Sequence, residues 1–164
     1  MKPGKILVPL DGSALAEAAL SQATLLASEF GAQVELLRAV EAHTFPGVDP
    51  TDAQVKVVQE GETYLAGVAE RLRASGVKDV ASSVWYGPPA FAIVEAARLT
   101  HVDLIVMGTH GRSGIGRMIL GSVAESVLRG TTTPILLIRS PEAPVDRPAG
   151  AEAVRRWSET GRAT

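Results

Sequence analysis

The sequence predicts a parallel, doubly wound α/β domain, and three observations predict it. Strand-sized apolar runs alternate with helix-length amphipathic segments along most of the chain. Hydrophobic residues make up 46% of the sequence but aromatics only 4%, so the core is built from Val, Ile, Leu and Ala, the palette of buried parallel strands. Gly or Pro stands at nearly every junction between the segments. Five strands alternating with four helices are connected most simply by right-handed crossovers, which leave helices on both faces of one sheet. A chain of 164 residues suits one such domain and leaves little room for a second.

The elements follow in order. Lys5–Leu10 (KILVPL) is an apolar run closed by Asp11-Gly12-Ser13, a turn in which Ser13 can cap a helix. That helix reaches about Phe30, with Leu15, Ala19, Ala23, Leu26 and Phe30 at helical spacing and Gly31 as its stop. Gln33–Val40 (QVELLRAV) is the second strand. From Glu41 to about Asp52, Pro46, Gly47 and Pro50 describe a loop, and a long helix runs from roughly Thr51 to Ser75 with Val58, Leu65, Val68 and Leu72 on its apolar side. Gly76 stops it. Val80–Trp85 (VASSVW) is a third, more polar strand, suited to a sheet edge. Gly87-Pro88-Pro89 opens a helix whose buried side carries Ile93, Ala96, Ala97 and Thr100. Asp103–Met107 is the fourth strand and Pro134–Arg139 (PILLIR) the fifth.

The most informative stretch lies between those last two strands. After Leu104–Met107 come Gly108, Gly111, Gly114 and Gly116, and then Gly121 directly before Ser122. Ser122 followed by Glu125 fits a capping box, which makes Ser122 the expected N-cap of a helix carrying Val123, Ala124, Val127 and Leu128 on its apolar face. The first amides of that helix lack intrahelical acceptors, and the macrodipole adds about half a positive charge there. A phosphate chain between Gly111 and Gly121 would be held by backbone donors. The alternative is that the glycines only shape a tight strand-to-helix connection. In doubly wound sheets ligands sit beyond the carboxyl ends of the strands, where the strand order reverses. If the first and fourth strands flank that point, Pro9-Leu10-Asp11 and Gly108–Ser122 face each other across one crevice.

Composition excludes several other classes. Sixteen Lys+Arg against eighteen Asp+Glu leave a net charge of −2, without the basic footprint of a nucleic-acid binder. The absence of cysteine removes disulfides, thiolate catalysis and zinc–thiolate sites, and accords with a reducing cytoplasm. No apolar run approaches the ~18 residues of a membrane span, and the opening MKPGKILVPLDGS is too short and broken for a signal peptide. A soluble, cytoplasmic protein with neither a membrane nor a nucleic-acid partner is therefore expected. Two familiar nucleotide motifs are also missing. Gly111-Arg112-Ser113-Gly114-Ile115-Gly116-Arg117 lacks the Lys-Ser/Thr pair of a P-loop, and Asp11-Gly12-Ser13-Ala14 stands where a dinucleotide fold carries G-x-G-x-x-G.

What remains resembles a known family. Gly108-x-x-Gly111, nine residues, then Gly121-Ser122 is similar to the G-2x-G-9x-G-[S/T] motif of the universal stress proteins in their ATP-binding branch, and the likeness extends over roughly residues 3–140. The resemblance implies a five-stranded Rossmann-like sheet in order 3-2-1-4-5, bound ATP with its Mg²⁺, and in many members a homodimer paired through the last strand. Carried onto this chain, it places Pro9, Leu10 and Asp11 on the ribose and adenine side, and Ala39 or Val40 against the adenine. Gly108, Gly111, Gly121, Ser122 and Val123 fall on the phosphate side, and Met107, directly before Gly108, belongs to the same nucleotide site. Ile135–Ile138 is apolar on both faces and as an edge needs covering, which agrees with pairing there.

Individual roles stay two-sided. Asp11 suits ribose hydroxyls or a phosphate-bound Mg²⁺, or else an Asx turn before Gly12. Ser122 suits either phosphate or the helix cap. His110 has no nearby residue in the motif to orient it as a catalyst, and Arg112 and Arg117 are as well suited to solvent as to phosphate. The tail, residues 141–164, holds Pro141, Pro144 and Pro148 in a linker, then a segment with Val154 and Trp157 on one side; it is read as a mobile or loosely docked tail, the alternative being that Trp157 docks on the domain or a partner with Arg155 and Arg156 at the rim. The expected function is a nucleotide-dependent stress-response regulator with an unidentified protein partner. A slow ATPase or autophosphorylating enzyme, and a scaffold that binds no nucleotide, are the other readings.

Overall fold

The computed structural model describes residues 2–42, 49–109 and 120–139. In chain order the elements are β1 Lys5–Pro9, α1 Ala14–Phe30, β2 Gln33–Val40, α2 Pro50–Ala74, β3 Val80–Tyr86, α3 Pro89–Leu99, β4 Leu104–Gly108, α4 Ser122–Gly130 and β5 Ile135–Ile138. All strand pairs are parallel and the sheet order is β3-β2-β1-β4-β5, so the order reverses between β1 and β4. Polar β3 does lie at an edge, as its composition suggested.

The side-chain alternation of the strands assigns each residue to one of two cores. On one face Ile6, Val8, Val34, Leu36 and Val106 meet the alanine row Ala16, Ala19, Ala23 and Ala27 of α1 and the Leu65–Val68–Leu72 side of α2. On the other, Leu7, Leu37, Ile105 and Met107 meet α3 and α4 through Ile93, Ala96, Ala124 and Val127. Each large aliphatic side chain fully buried this way contributes about 1.5–3 kcal/mol, so the central strands carry most of the hydrophobic stabilisation. The buried stripe of α1 is made of alanines, with Leu15, Leu26 and Phe30 only half-buried at its margins.

Four sequence expectations change. Pro50 belongs to α2 and not to the preceding loop, because Asp49 caps the helix by accepting from Thr51 N at 2.7 Å and proline fits the first helical position. Asp103 lies outside β4, where its Oδ2 accepts the amides of Gly4 and Lys5 at 2.8 and 2.9 Å and ties the entry of β1 to that of β4. Leu128 is 51% exposed and not part of the buried face of α4. Ser122 is the first helical residue; the N-cap is Gly121, with no side-chain capping bond, and Glu125 instead pairs with Arg129 at 2.8 Å. Among the described residues no helix is long and apolar enough to cross a membrane.

Candidate functional site

Three chain segments converge beyond the carboxyl ends of the strands. The first is the exit of β1. Leu10 N donates to Leu37 O at 2.8 Å, continuing the pairing with β2, and the chain then turns through Gly12 at φ 83°, a conformation that favours glycine. Asp11 Oδ1 accepts Ser13 N at 2.9 Å and Ser13 Oγ at 2.6 Å, while Ser13 Oγ accepts Ala16 N at 3.1 Å and so caps α1. The Asx-turn reading of Asp11 is thus realised. The carboxylate also stands at the wall of a cavity, so the turn orients it there.

The second segment joins β4 to α4. Thr109 N donates to Ile138 O at 2.9 Å, and Thr109 O accepts Gly121 N at 2.7 Å. This clasp holds the first turn of α4 against the end of β4. It also corrects the expected cradle, because the Gly121 amide is committed to Thr109. The helical ladder begins with Glu125 N to Gly121 O at 2.9 Å, which leaves the amides of Ser122, Val123 and Ala124 as the first-turn donors. Gly111, along with Gly114, Gly116, His110, Arg112 and Arg117, lies outside the described residues, as does the 141–164 tail.

The third segment is the exit of β2 with the start of α3. Val40 O accepts Gly87 N at 3.0 Å, and Gly87 turns at φ 132° into the prolines that start α3. Two residues earlier in β2, the Arg38 guanidinium lies 4.8 Å from the centroid of the Tyr64 ring. Tyr64 in turn donates its hydroxyl to Glu17 Oε1 at 2.7 Å, and Arg71 binds Glu17 Oε2 at 2.8 Å. Burial pushes the Tyr64 hydroxyl well above its ordinary pKa, and the Glu17 carboxylate beside it adds to the effect. Burial pushes Glu17 upward as well, but the hydrogen bonds from Tyr64 and Arg71 outweigh it and hold the carboxyl below its usual range.

These segments enclose a cavity of about 510 Å³, within the usual range for a small-molecule site. Pro9, Leu10, Asp11, Val40, Met107, Gly108, Gly121, Ser122 and Val123 all line it, so every described residue expected at the site is brought to one place. The lining also holds residues the sequence reading did not select, among them Arg38, Glu41, Val57, Glu60, Gly87 and Pro89. Arg38 had a visible signal: a lone cation near the carboxyl end of an otherwise apolar strand. Val57 and Glu60 had none, because their arrival depends on how α2 crosses the sheet. No group of three His, Cys, Asp or Glu suited to a metal ion occurs among the described residues.

An open parallel sheet with a cavity at its topological switch point defines a class of ligand-binding α/β domain. Residues 3–139 match the universal stress protein family, and the chain belongs to that family. It is 36% identical over 143 residues to a universal stress protein of Methanocaldococcus jannaschii, covering 84% of this chain and 83% of that one. A solved universal stress family protein of Burkholderia pseudomallei superposes with a TM-score of 0.67 at 34% identity, covering 82% of this chain and 95% of the other. A universal stress protein solved in complex with cAMP gives a TM-score of 0.67 at 25% identity, with 84% and 98% of the two chains covered.

Proposed function

We propose that the cavity binds an adenine nucleotide, ATP in the first instance, and that occupancy regulates the interaction of this protein with a partner in a stress response. The observation that carries the reading is the convergence of the β1 exit, the β2 exit and the first turn of α4 on one cavity. The amides of Ser122, Val123 and Ala124 and the helix dipole attract phosphate, with Gly108 at the end of β4 leaving room for it. Asp11 accepts from ribose hydroxyls across Pro9 and Leu10, and Val40 and Met107 give apolar surface to the base and sugar. The cAMP complex of a family member supports the same ligand class for this chain.

Mg²⁺ fits as a companion of the phosphates. Mg²⁺ typically keeps several waters and takes one or two carboxylates plus phosphate oxygens, and Asp11 is the carboxylate placed for that. The chain would act in the cytoplasm as a homodimer through β5, an edge strand whose four residues are all half-buried and apolar. Calorimetric titration with ATP, ADP and AMP, with and without Mg²⁺, tests binding. Phosphate release assayed alongside separates a binder from an enzyme. Turnover below about one per second, slow for an enzyme, is the expected result.

A further inference from the structure

The proposed nucleotide site contains one cation, on β2, to which the reading above gives no role. Arg38 is the sole basic residue among the described lining of the cavity, which also carries Asp11, Glu41 and Glu60. Its recorded contact is the face of Tyr64 at 4.8 Å, and its guanidinium forms no ion pair or hydrogen bond among the described residues. The ring itself is held. Tyr64 donates to Glu17 Oε1, and Glu17 stands in the first turn of α1, its amide bonded to Ser13 O at 3.1 Å. The guanidinium therefore sits over an anchored ring at the wall of the cavity, and no described residue accepts from its N–H donors.

Position relative to the helix completes the argument. The order β2-β1-β4 puts Arg38 on one side of Asp11 and the first-turn amides of α4 on the other. Two strand spacings, about 10 Å, separate β2 from β4 within the sheet, and Arg38 meets the cavity from the α2 face whereas α4 packs on the other. With a 5′-phosphate on the α4 amides and the ribose at Asp11, β2 is the strand on the side of the ribose away from that phosphate. An anion on the 2′ or 3′ oxygen there meets the planar donor fork suited to phosphate.

We propose that this site selects nucleotides phosphorylated at both ends of the ribose, with Arg38 as the specificity-determining residue for the 2′- or 3′-phosphate. This inference rests on the nucleotide-binding reading above. The test titrates the full chain with AMP, adenosine 2′,5′-bisphosphate and adenosine 3′,5′-bisphosphate, and repeats the series with Arg38→Met, which keeps the stem and removes the donors. Wild-type protein is expected to bind one bisphosphate roughly tenfold or more tightly than AMP, the size of one charge-assisted pair. In Arg38→Met the ratio should collapse toward one. Binding of AMP with no preference for either bisphosphate in the wild-type protein overturns the inference and leaves the nucleotide reading standing, and this arm needs no variant. A preference that survives in Arg38→Met also overturns it. Failure of all three ligands to bind overturns the inference, and failure of ATP with Mg²⁺ as well overturns the nucleotide reading.

Discussion

At the scale of single residues, the site is shaped by side chains that serve the fold first. Glu17 accepts from Tyr64 and Arg71 together, and these bonds hold its carboxyl below the usual range against the upward push of burial. A carboxyl depressed in the folded state adds stability above its unfolded pKa and loses it as pH falls through the folded value. Wild-type stability in urea should therefore decline below about pH 4.3, the ordinary glutamate value, and Glu17→Gln should flatten that part of the profile. Tyr64→Phe should cost about 1–2 kcal/mol by removing a donor from a charged acceptor, read from the same denaturation curves. Gly61 is a second such residue: a Cβ there would lie 3.1 Å from Val84 Cγ2 and 3.4 Å from Val40 Cγ1. Gly61→Val should destabilise by about 1–3 kcal/mol, because α2 must lift from the β2 exit to admit the extra methyls.

At the scale of elements, the start of α4 separates two roles for Ser122. A serine at the N-cap loses about 1 kcal/mol on truncation, whereas Ser122 occupies the first helical position with no capping bond. Ser122→Ala should change stability by less than about 0.5 kcal/mol while weakening nucleotide binding, checked by thermal melts beside calorimetry. Ser13→Ala should behave in the opposite way, costing about 1 kcal/mol, since its hydroxyl caps α1 at 3.1 Å from Ala16 N. These elements also mark what was legible in the sequence. β2 matched the apolar run residue for residue, and Gly31 was readable as the stop of α1 because its φ of 68° favours glycine. The capping-box pattern at Ser122 misled because Thr109 already satisfies the Gly121 amide, a contact between residues twelve positions apart that no local pattern reports. Pro50 was misplaced for a related reason. A proline closes a loop or opens a helix equally well, and Asp49 decided it. The stacking of Arg38 on Tyr64 depends on the crossing of α2 over the sheet and left no periodic trace.

At the scale of the whole molecule, the switch point between β1 and β4 explains why chain segments far apart in sequence share one cavity. The sheet order places the β1 exit between the β2 exit and α4, so a ligand lying across it is enclosed by the Thr109–Gly121 clasp on one side and by Gly87 on the other. The edge strand β5 suggests assembly. Sedimentation should return about twice the 17.1 kDa chain mass, and a monomer at micromolar concentration would count against pairing through that edge. The central claim, however, is the nucleotide site, and one variant addresses it most directly. Gly121 lines the cavity at φ −72° and ψ 155°, a conformation open to any residue, so Gly121→Val alters the wall without straining the backbone. Calorimetric titration with ATP and Mg²⁺ should give saturable one-to-one binding to the wild-type protein and none to Gly121→Val, at matching melting temperatures. Equal affinity in the two proteins, or no binding by the wild type, would contradict the account.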